Sequence, residues 1–325
     1  MSGNQFKPAW WLRNSHLQTL WPVLCRRDIK NLVIERERLD LPDGDFVDLD
    51  WIGRQQKGPL VLILHGLEGS IHSHYAKGML RAISTQSWRG AFMHFRGCSG
   101  EPNRLVRSYH SGETGDINQV VNILLDREPD LAIAVVGFSL GGNVLLKWLG
   151  ETGEKNPLKA AIAISVPFEL HKAASRIQKG FSKFYQWYFM KCLRDRLSYK
   201  FQIQPPHVDP RLIYKVNSMY EFDDKITAPL HGFSGVSEYY AIASSRQYLK
   251  SVQIPTLILH AKDDPFMTED IIPAKHELSS FIQLEVTESG GHVGFVEGKY
   301  PWKPEYWLEK RVPMFLEKHL FDYSR

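Results

Sequence analysis

The sequence predicts an α/β protein with a mostly parallel central sheet, flanked by helices and interrupted by one helical insertion. Two observations carry this. From about residue 60 onward, short apolar runs rich in Val, Ile, Leu and Ala alternate with longer helical patterns, as in βα units whose strands are covered on both faces. Between about Pro167 and Arg246 the strand signals stop and the apolar spacing becomes helical. A chain of 325 residues is long for one domain, but α/β folds of about two to three hundred residues often form a single unit with an insertion. The expectation is one domain over residues 1–325 carrying a helical cap at about 167–246.

Taken in order, the first residues, MSGNQFKPAWWLRNSHLQTLWP, hold charges, prolines and tryptophans and no apolar core with a cleavage site, so no export signal is read. Glu35 to Leu41 and Phe46 to Ile52 are alternating runs around Pro42-Asp43-Gly44, which reads as a hairpin. Strand-length runs follow at Leu60 to Leu64, Ala91 to Phe95, Leu131 to Val136, Ala160 to Ser165, Thr256 to His260 and Phe281 to Val286. Within the insertion, Lys172 to Tyr199 shows helical spacing of Ile177, Phe181, Phe184, Tyr188 and Leu193. Tyr306 to Leu320 reads as a closing helix despite Pro313.

Composition narrows the function classes. With 43% hydrophobic and 23% charged residues and no apolar run near the ~20 residues of a membrane span, the chain is not expected to be integral to a membrane. Cys25, Cys98 and Cys192 are widely spaced and odd in number, suggesting neither a disulfide framework nor a metal site and fitting a reducing cytoplasm. A net charge of +4 and a pI of 8.8 fall short of a nucleic-acid binder. His72 and His74 are close in sequence but lack an HExxH or a carboxylate cluster, so no metal is expected. Without a Walker A sequence or a GxGxxG after a strand, no cofactor is expected either.

The informative segment is AIAVVGFSLGGNVLLKWLGE, Ala132 to Glu151. An apolar strand runs into Gly137-Phe138-Ser139-Leu140-Gly141 and then into a helical pattern, the G-x-S-x-G nucleophile elbow of the α/β-hydrolase fold in its strand-turn-helix context. The sharp turn strains the serine backbone, and side chains at the flanking glycines would strike the neighbouring strand and helix. The Leu140 N–H, at the helix start, is one expected oxyanion donor. The strand Leu60 to Leu64 ends in His65-Gly66-Leu67-Glu68-Gly69, where this fold supplies the other donor, so Leu67 N–H is the second. His65, directly on the strand end, reads as structural rather than as a base.

A serine needs a base, and in this fold the order is Ser, then Asp or Glu, then His. Asp263-Asp264-Pro265-Phe266 follows the strand ending at His260, and Gly290-Gly291-His292 follows the strand ending at Val286. Loops after parallel strands share one sheet edge, so both can meet Ser139 there. His292 is the expected base. Of the two aspartates, Asp264 is favoured as the acid that orients it, with Asp263 capping the turn.

These residues belong to a wider set: HLQTLWP (His16 to Pro22), HGLEGS (His65 to Ser70), FRGCSG (Phe95 to Gly100), YHSGETGD (Tyr109 to Asp116), the Ser139 segment, HAKDDPF and GGHVGF. Together they resemble the YheT/Emb8 group of α/β hydrolases, also called the AB hydrolase-4 family, over residues 16 to 296. Glu221 to Tyr240, EFDDKITAPLHGFSGVSEYY, resembles that group's return from cap to core. The resemblance implies a charge-relay system on Ser139, Asp264 and His292 and a carboxylic-ester hydrolase acting on a small-molecule acyl ester, of short or medium chain or of a lipid. Some relatives transfer the acyl group to an alcohol, but the H-x4-D signature of some acyltransferases does not occur in the chain. A binding protein that has lost its chemistry is a further alternative. The insertion sets Phe181, Phe184, Tyr185, Trp187, Tyr188 and Phe189 among Lys179, Lys183, Lys191, Arg194, Arg196 and Lys200. It is expected to be a cap helix with its apolar face over the active site, and transient contact with a membrane surface is the alternative.

Overall fold

The computed structural model describes residues 5–26, 29 and 32–320. Eight strands form one sheet in the order β1-β2-β4-β3-β5-β6-β7-β8. They are β1 (Glu35–Asp40), β2 (Phe46–Ile52), β3 (Leu60–Leu64), β4 (Arg89–His94), β5 (Ile133–Phe138), β6 (Ala160–Ile164), β7 (Thr256–Ala261) and β8 (Ile282–Thr287). The hairpin β1-β2 and the β2-β4 pair are antiparallel, and every other pairing is parallel. Register at the polar edge is held by charge: Arg36 lies opposite Asp50 and Arg38 opposite Asp48, each in a two-pronged ion pair.

The central strands are apolar throughout because both faces are covered. Leu60, Leu62 and Leu64 pack on one side with α3 (Gly115–Arg127) and α4 (Leu140–Thr152), while Val61 and Ile63 pack on the other with α2 (Ala76–Ser84). An N-terminal helix, α1 (Ser15–Cys25), is capped by Asn14, whose Oδ1 accepts from the His16 and Leu17 amides. No helix among the described residues is long and apolar enough to cross a membrane.

Between β6 and β7 the chain is helical: α5 (Leu170–Arg176), α6 (Ser182–Ile203), α7 (Leu212–Lys215), α8 (Met219–Phe222), a π-helical turn over Asp223–Thr227, α9 (Ala228–Leu230) and α10 (Val236–Ala243). The continuous helix expected over Lys172 to Tyr199 is thus two helices, broken where Gly180 takes φ +56. The break resets the phase. Ile177 and Leu193 are buried, but Phe181, Phe184 and Tyr188 of the expected apolar stripe face outward, and α6 instead buries Tyr185, Met190, Leu193, Leu197 and Phe201. The closing helix α11 (Leu308–Leu320) starts later than the spacing predicts, because Lys303–Tyr306 pairs with Val296–Tyr300 as a small separate hairpin, β10 with β9.

Candidate active site

Ser139 sits between the last residue of β5 and the first of α4 at φ +52, ψ −117, a conformation an L-residue holds only where its surroundings force it. The neighbours explain the sequence. A Cβ on Gly137 would lie 2.5 Å from the Gly141 carbonyl oxygen, and one on Gly141 would lie 2.5 Å from that of His65. The Ser139 amide continues the ladder to Ile164 O at 2.8 Å, which fixes the turn to β6 and leaves the side chain at the tip.

Asp264 and His292 arrive on the loops after β7 and β8. His292 Nδ1 lies 2.8 Å from Asp264 Oδ2, and its Nε2 lies 3.0 Å from Ser139 Oγ. With the imidazole neutral, this geometry places the proton on Nδ1, donated to the carboxylate, and leaves Nε2 to accept from the serine hydroxyl. Asp264 Oδ1 accepts from the Phe266 amide at 2.9 Å, so both its oxygens are engaged. Asp263 turns away: its Oδ1 accepts from the Gly291 amide at 2.9 Å, and burial raises its pKa. Phe266 stacks on the His292 ring with centroids 4.0 Å apart.

The loop carrying His292 is fastened from the other end of the chain. Thr19 Oγ1 accepts from the His292 amide at 2.9 Å and donates to Ser15 O at 2.8 Å. Gln18 accepts from the Val296 amide and donates to Val296 O and Leu12 O. The HLQT motif is therefore a brace for the histidine loop. Only the resemblance marked those residues, and the composition of α1 carries no signal of what they hold.

Leu67 and Leu140, whose amides are the expected oxyanion donors, line the same cavity as Ser139. The amides on either side of Leu67 are taken, Gly66 N–H by Tyr75 Oη at 2.9 Å and Glu68 N–H by Tyr109 Oη at 2.8 Å. The Leu67 and Leu140 amides meet no acceptor among the described residues. Glu68 is in turn gripped by Arg196 of α6 at 2.9 and 3.0 Å and by the Tyr109 hydroxyl at 2.7 Å. Helix α6 is thus tied to the loop that carries Leu67. His65 is buried, with Nε2 accepting from the Phe95 amide and Nδ1 donating to Gly66 O. Burial lowers its pKa to about 3, so it is a neutral structural group. His74 lies 3.3 Å from Val293 O while His72 is exposed. Arg96 of FRGCSG binds Asp43, Asp45 and Asp116 together, which accounts for two further motifs as scaffold.

A cavity of ≈ 1000 Å³, its open mouth included, lies between the sheet edge and the inserted helices and is lined by Ser139, Leu67 and Leu140. Its wall is mainly apolar, with Leu170, Ala173, Ile177, Phe189, Leu193 and Leu197 contributed by α5, α6 and the turn between them. Asp223 of the π-helical turn also faces it. Its carboxyl accepts from Tyr240 Oη at 2.7 Å, and burial pushes its pKa up to about 6. Sequence reasoning did not single it out.

Against known proteins, residues 59–299 match the family model of the alpha/beta hydrolase fold. YheT of Escherichia coli (strain K12) is 42% identical over 324 residues, 98% of this chain and 95% of that protein. Phospholipase ABHD3 of Bos taurus is 29% identical over 312 residues, 93% of this chain and 75% of that one. Among solved structures, the Pyrococcus furiosus esterase Pf2001 superposes with a TM-score of 0.58 at 18% identity, covering 91% of this chain and 99% of that chain, a likeness of fold.

Proposed function

From a chain that belongs to the α/β-hydrolase family, and within it to the group of YheT and EMB8, we propose a serine hydrolase that cleaves carboxylic esters through Ser139, His292 and Asp264. The observation that carries the reading is the continuous hydrogen-bond path Asp264 to His292 to Ser139 at 2.8 and 3.0 Å, opening on an apolar cavity. Relatives named phospholipase and monoacylglycerol lipase favour acyl esters as the substrate class, and the apolar lining at Leu193, Leu197 and Phe189 suits an acyl chain.

In this mechanism His292 Nε2 takes the proton of Ser139 Oγ as the oxygen attacks the ester carbonyl, while Asp264 stabilises the imidazolium. The Leu67 and Leu140 N–H groups hold the oxyanion. Fixed by the backbone turns that carry them, they need little reorganisation as the charge develops. Collapse breaks the bond to the alcohol, which leaves with the proton from His292. Water, deprotonated by the same nitrogen, then attacks the acyl-enzyme, and the acid is released as Ser139 recovers its proton.

A series of p-nitrophenyl esters from acetate to palmitate, run on wild type and Ser139→Ala in parallel, tests this. The expected result is a chain-length optimum that disappears in Ser139→Ala while the melting curve stays as in wild type. Equal turnover by the two proteins would overturn the assignment. Supplying an alcohol during the assay distinguishes hydrolysis from acyl transfer, since transfer yields a new ester instead of free acid.

A further inference from the structure

The outer face of α6 has large aromatic side chains and no covering element among the described residues. Phe184, Trp187 and Tyr188 are 47%, 57% and 52% exposed, and Phe181, just before the helix, is 54% exposed. On α1, Leu17 and Leu24 are 50% and 75% exposed and, seven residues apart, share one helical face. The two sets are adjacent: the His16 ring packs on Phe181 and Tyr185 with centroids 4.6 and 5.8 Å away. An apolar concentration of this kind on a protein surface marks a contact face.

Its position relates it to the cavity. Tyr185 packs on Phe266, which stacks on His292, and the Ser182 hydroxyl at the start of α6 donates to Pro265 O at 2.6 Å. Phe189 and Leu193 of the same helix line the cavity. One helix therefore forms both the inner wall of the site and the exposed aromatic face.

The charges say what covers it. No Asp or Glu occurs between Glu169 and Asp195, a stretch holding Lys172, Arg176, Lys179, Lys183, Lys191 and Arg194. The first acid of the chain is Asp28, after Lys7 and Arg13. Lys179, Lys183 and Lys191 are exposed and have no acidic partner among the described residues. Aromatic and aliphatic side chains rimmed by uncompensated cations match an anionic lipid surface, where the rings enter the boundary below the headgroups and the lysines reach the phosphates. Two copies of the chain meeting on this face would oppose like charges.

We propose that Leu17 and Leu24 of α1, together with Phe181, Phe184, Trp187 and Tyr188, seat the protein on an anionic lipid surface with the cavity held against the lipid. The proposal goes beyond the hydrolytic reading and does not rest on it.

The test is sedimentation with vesicles of phosphatidylcholine alone and of phosphatidylcholine with phosphatidylglycerol in equal parts. Wild type is expected to bind the anionic vesicles and to lose binding as salt is raised. Phe184→Ser with Trp187→Ser should weaken binding more than tenfold, and Lys183→Gln with Lys191→Gln by roughly fivefold for each charge removed. None of these four side chains is placed in the catalytic machinery, so turnover of a soluble butyrate ester should stay as in wild type. That control separates a failure of docking from a failure of the esterase reading. Absence of wild-type binding to anionic vesicles overturns the proposal, as does equal binding by the double serine variant. Light scattering that shows a dimer lost in the serine variant, with no vesicle binding, would instead assign the face to a second copy.

Discussion

Thr19→Val removes one hydroxyl and keeps the shape of the side chain, which isolates the brace on the His292 loop. The Thr19 hydroxyl is the acceptor of the His292 amide at 2.9 Å, and Thr19 is 5% exposed, so water has little access to replace it. An amide left buried without an acceptor costs about 1–3 kcal/mol. Two measurements divide that cost. If the loop holds its place, the cost appears as lost stability, about 2–4 °C per kcal/mol for a chain of this size or somewhat less. If the loop shifts to find another acceptor, the imidazole moves from Ser139 Oγ, and kcat falls by about 5- to 150-fold. Because KM reports on the cavity wall rather than on this loop, it should change little. Thr19→Ser restores the acceptor and should recover most of the loss in either quantity. Steady-state kinetics on a p-nitrophenyl ester and thermal melts of the three proteins are sufficient. Wild-type kcat together with a wild-type melting temperature in Thr19→Val would refute the idea that the N-terminal motif holds the histidine loop.

Asp264→Asn should lower kcat by about 10⁴-fold, because an amide nitrogen facing Nδ1 favours the wrong imidazole tautomer. Asp263→Asn keeps an acceptor for the Gly291 amide and should cost no more than about tenfold; kinetics of the pair in parallel would reverse the assignment if Asp263→Asn alone were inactive. Arg96→Met leaves Asp45 and Asp116 buried without their cation and should destabilise by about 3–5 kcal/mol, read by urea unfolding, with wild-type stability as the contrary result. Burial lowers the pKa of His65 to about 3 and of His74 and His260 to about 4, against 6.5 unfolded. Between those values the unfolded chain binds more protons, so the stability is present above pH 6.5 and is lost as pH falls through the window toward 4. The shifts together lower stability by on the order of a few kcal/mol by pH 5, and unchanged melting curves at pH 7 and pH 5 would contradict the burial of neutral His65 and His260.

The sheet was legible because its strands are short, apolar and separated by turns, and the elbow because glycine is demanded at Gly137 and Gly141 by backbone atoms 2.5 Å from where a Cβ would lie. The order of Asp264 and His292 after Ser139 matched the order this fold uses, and loops that share a sheet edge made their convergence on Ser139 legible. Other features were not legible. The stripe Ile177, Phe181, Phe184, Tyr188 and Leu193 has helical spacing, but periodicity carries no information on phase across a break, and the left-handed Gly180 splits the stripe between a buried and an exposed face. The β9-β10 hairpin was missed because its two strands, Val296–Tyr300 and Lys303–Tyr306, are short and mostly polar, so no alternation marks them.

The distribution of backbone strain explains why the brace on the histidine loop was also invisible. Among the described residues, six non-glycine residues take positive φ, and five lie on loops around the site: Glu68, Ser139, Ser165, Val293 and Phe295. Apart from Ser139, whose strained turn the G-x-S-x-G pattern announces, nothing in the identities of a glutamate, a serine, a valine and a phenylalanine signals such a conformation, since each disfavours it. What holds them is contact from elsewhere. Tyr109 takes the Glu68 amide, Ile164 takes the Ser139 amide, Ser165 Oγ accepts from the Val293 amide at 3.1 Å, and Gln18 and Thr19 fix the chain on both sides of Val293. Strain at the reacting residues is thus sustained by hydrogen bonds spanning from 25 residues, in the Ser139 and Ile164 pair, to 278, in the Gln18 and Val296 pair. A local reading of sequence points to Ser139, Asp264 and His292. The residues that keep them in register are set by tertiary contact, and so Thr19, remote in the chain and without chemistry of its own, is where the dependence of activity on that register can be measured.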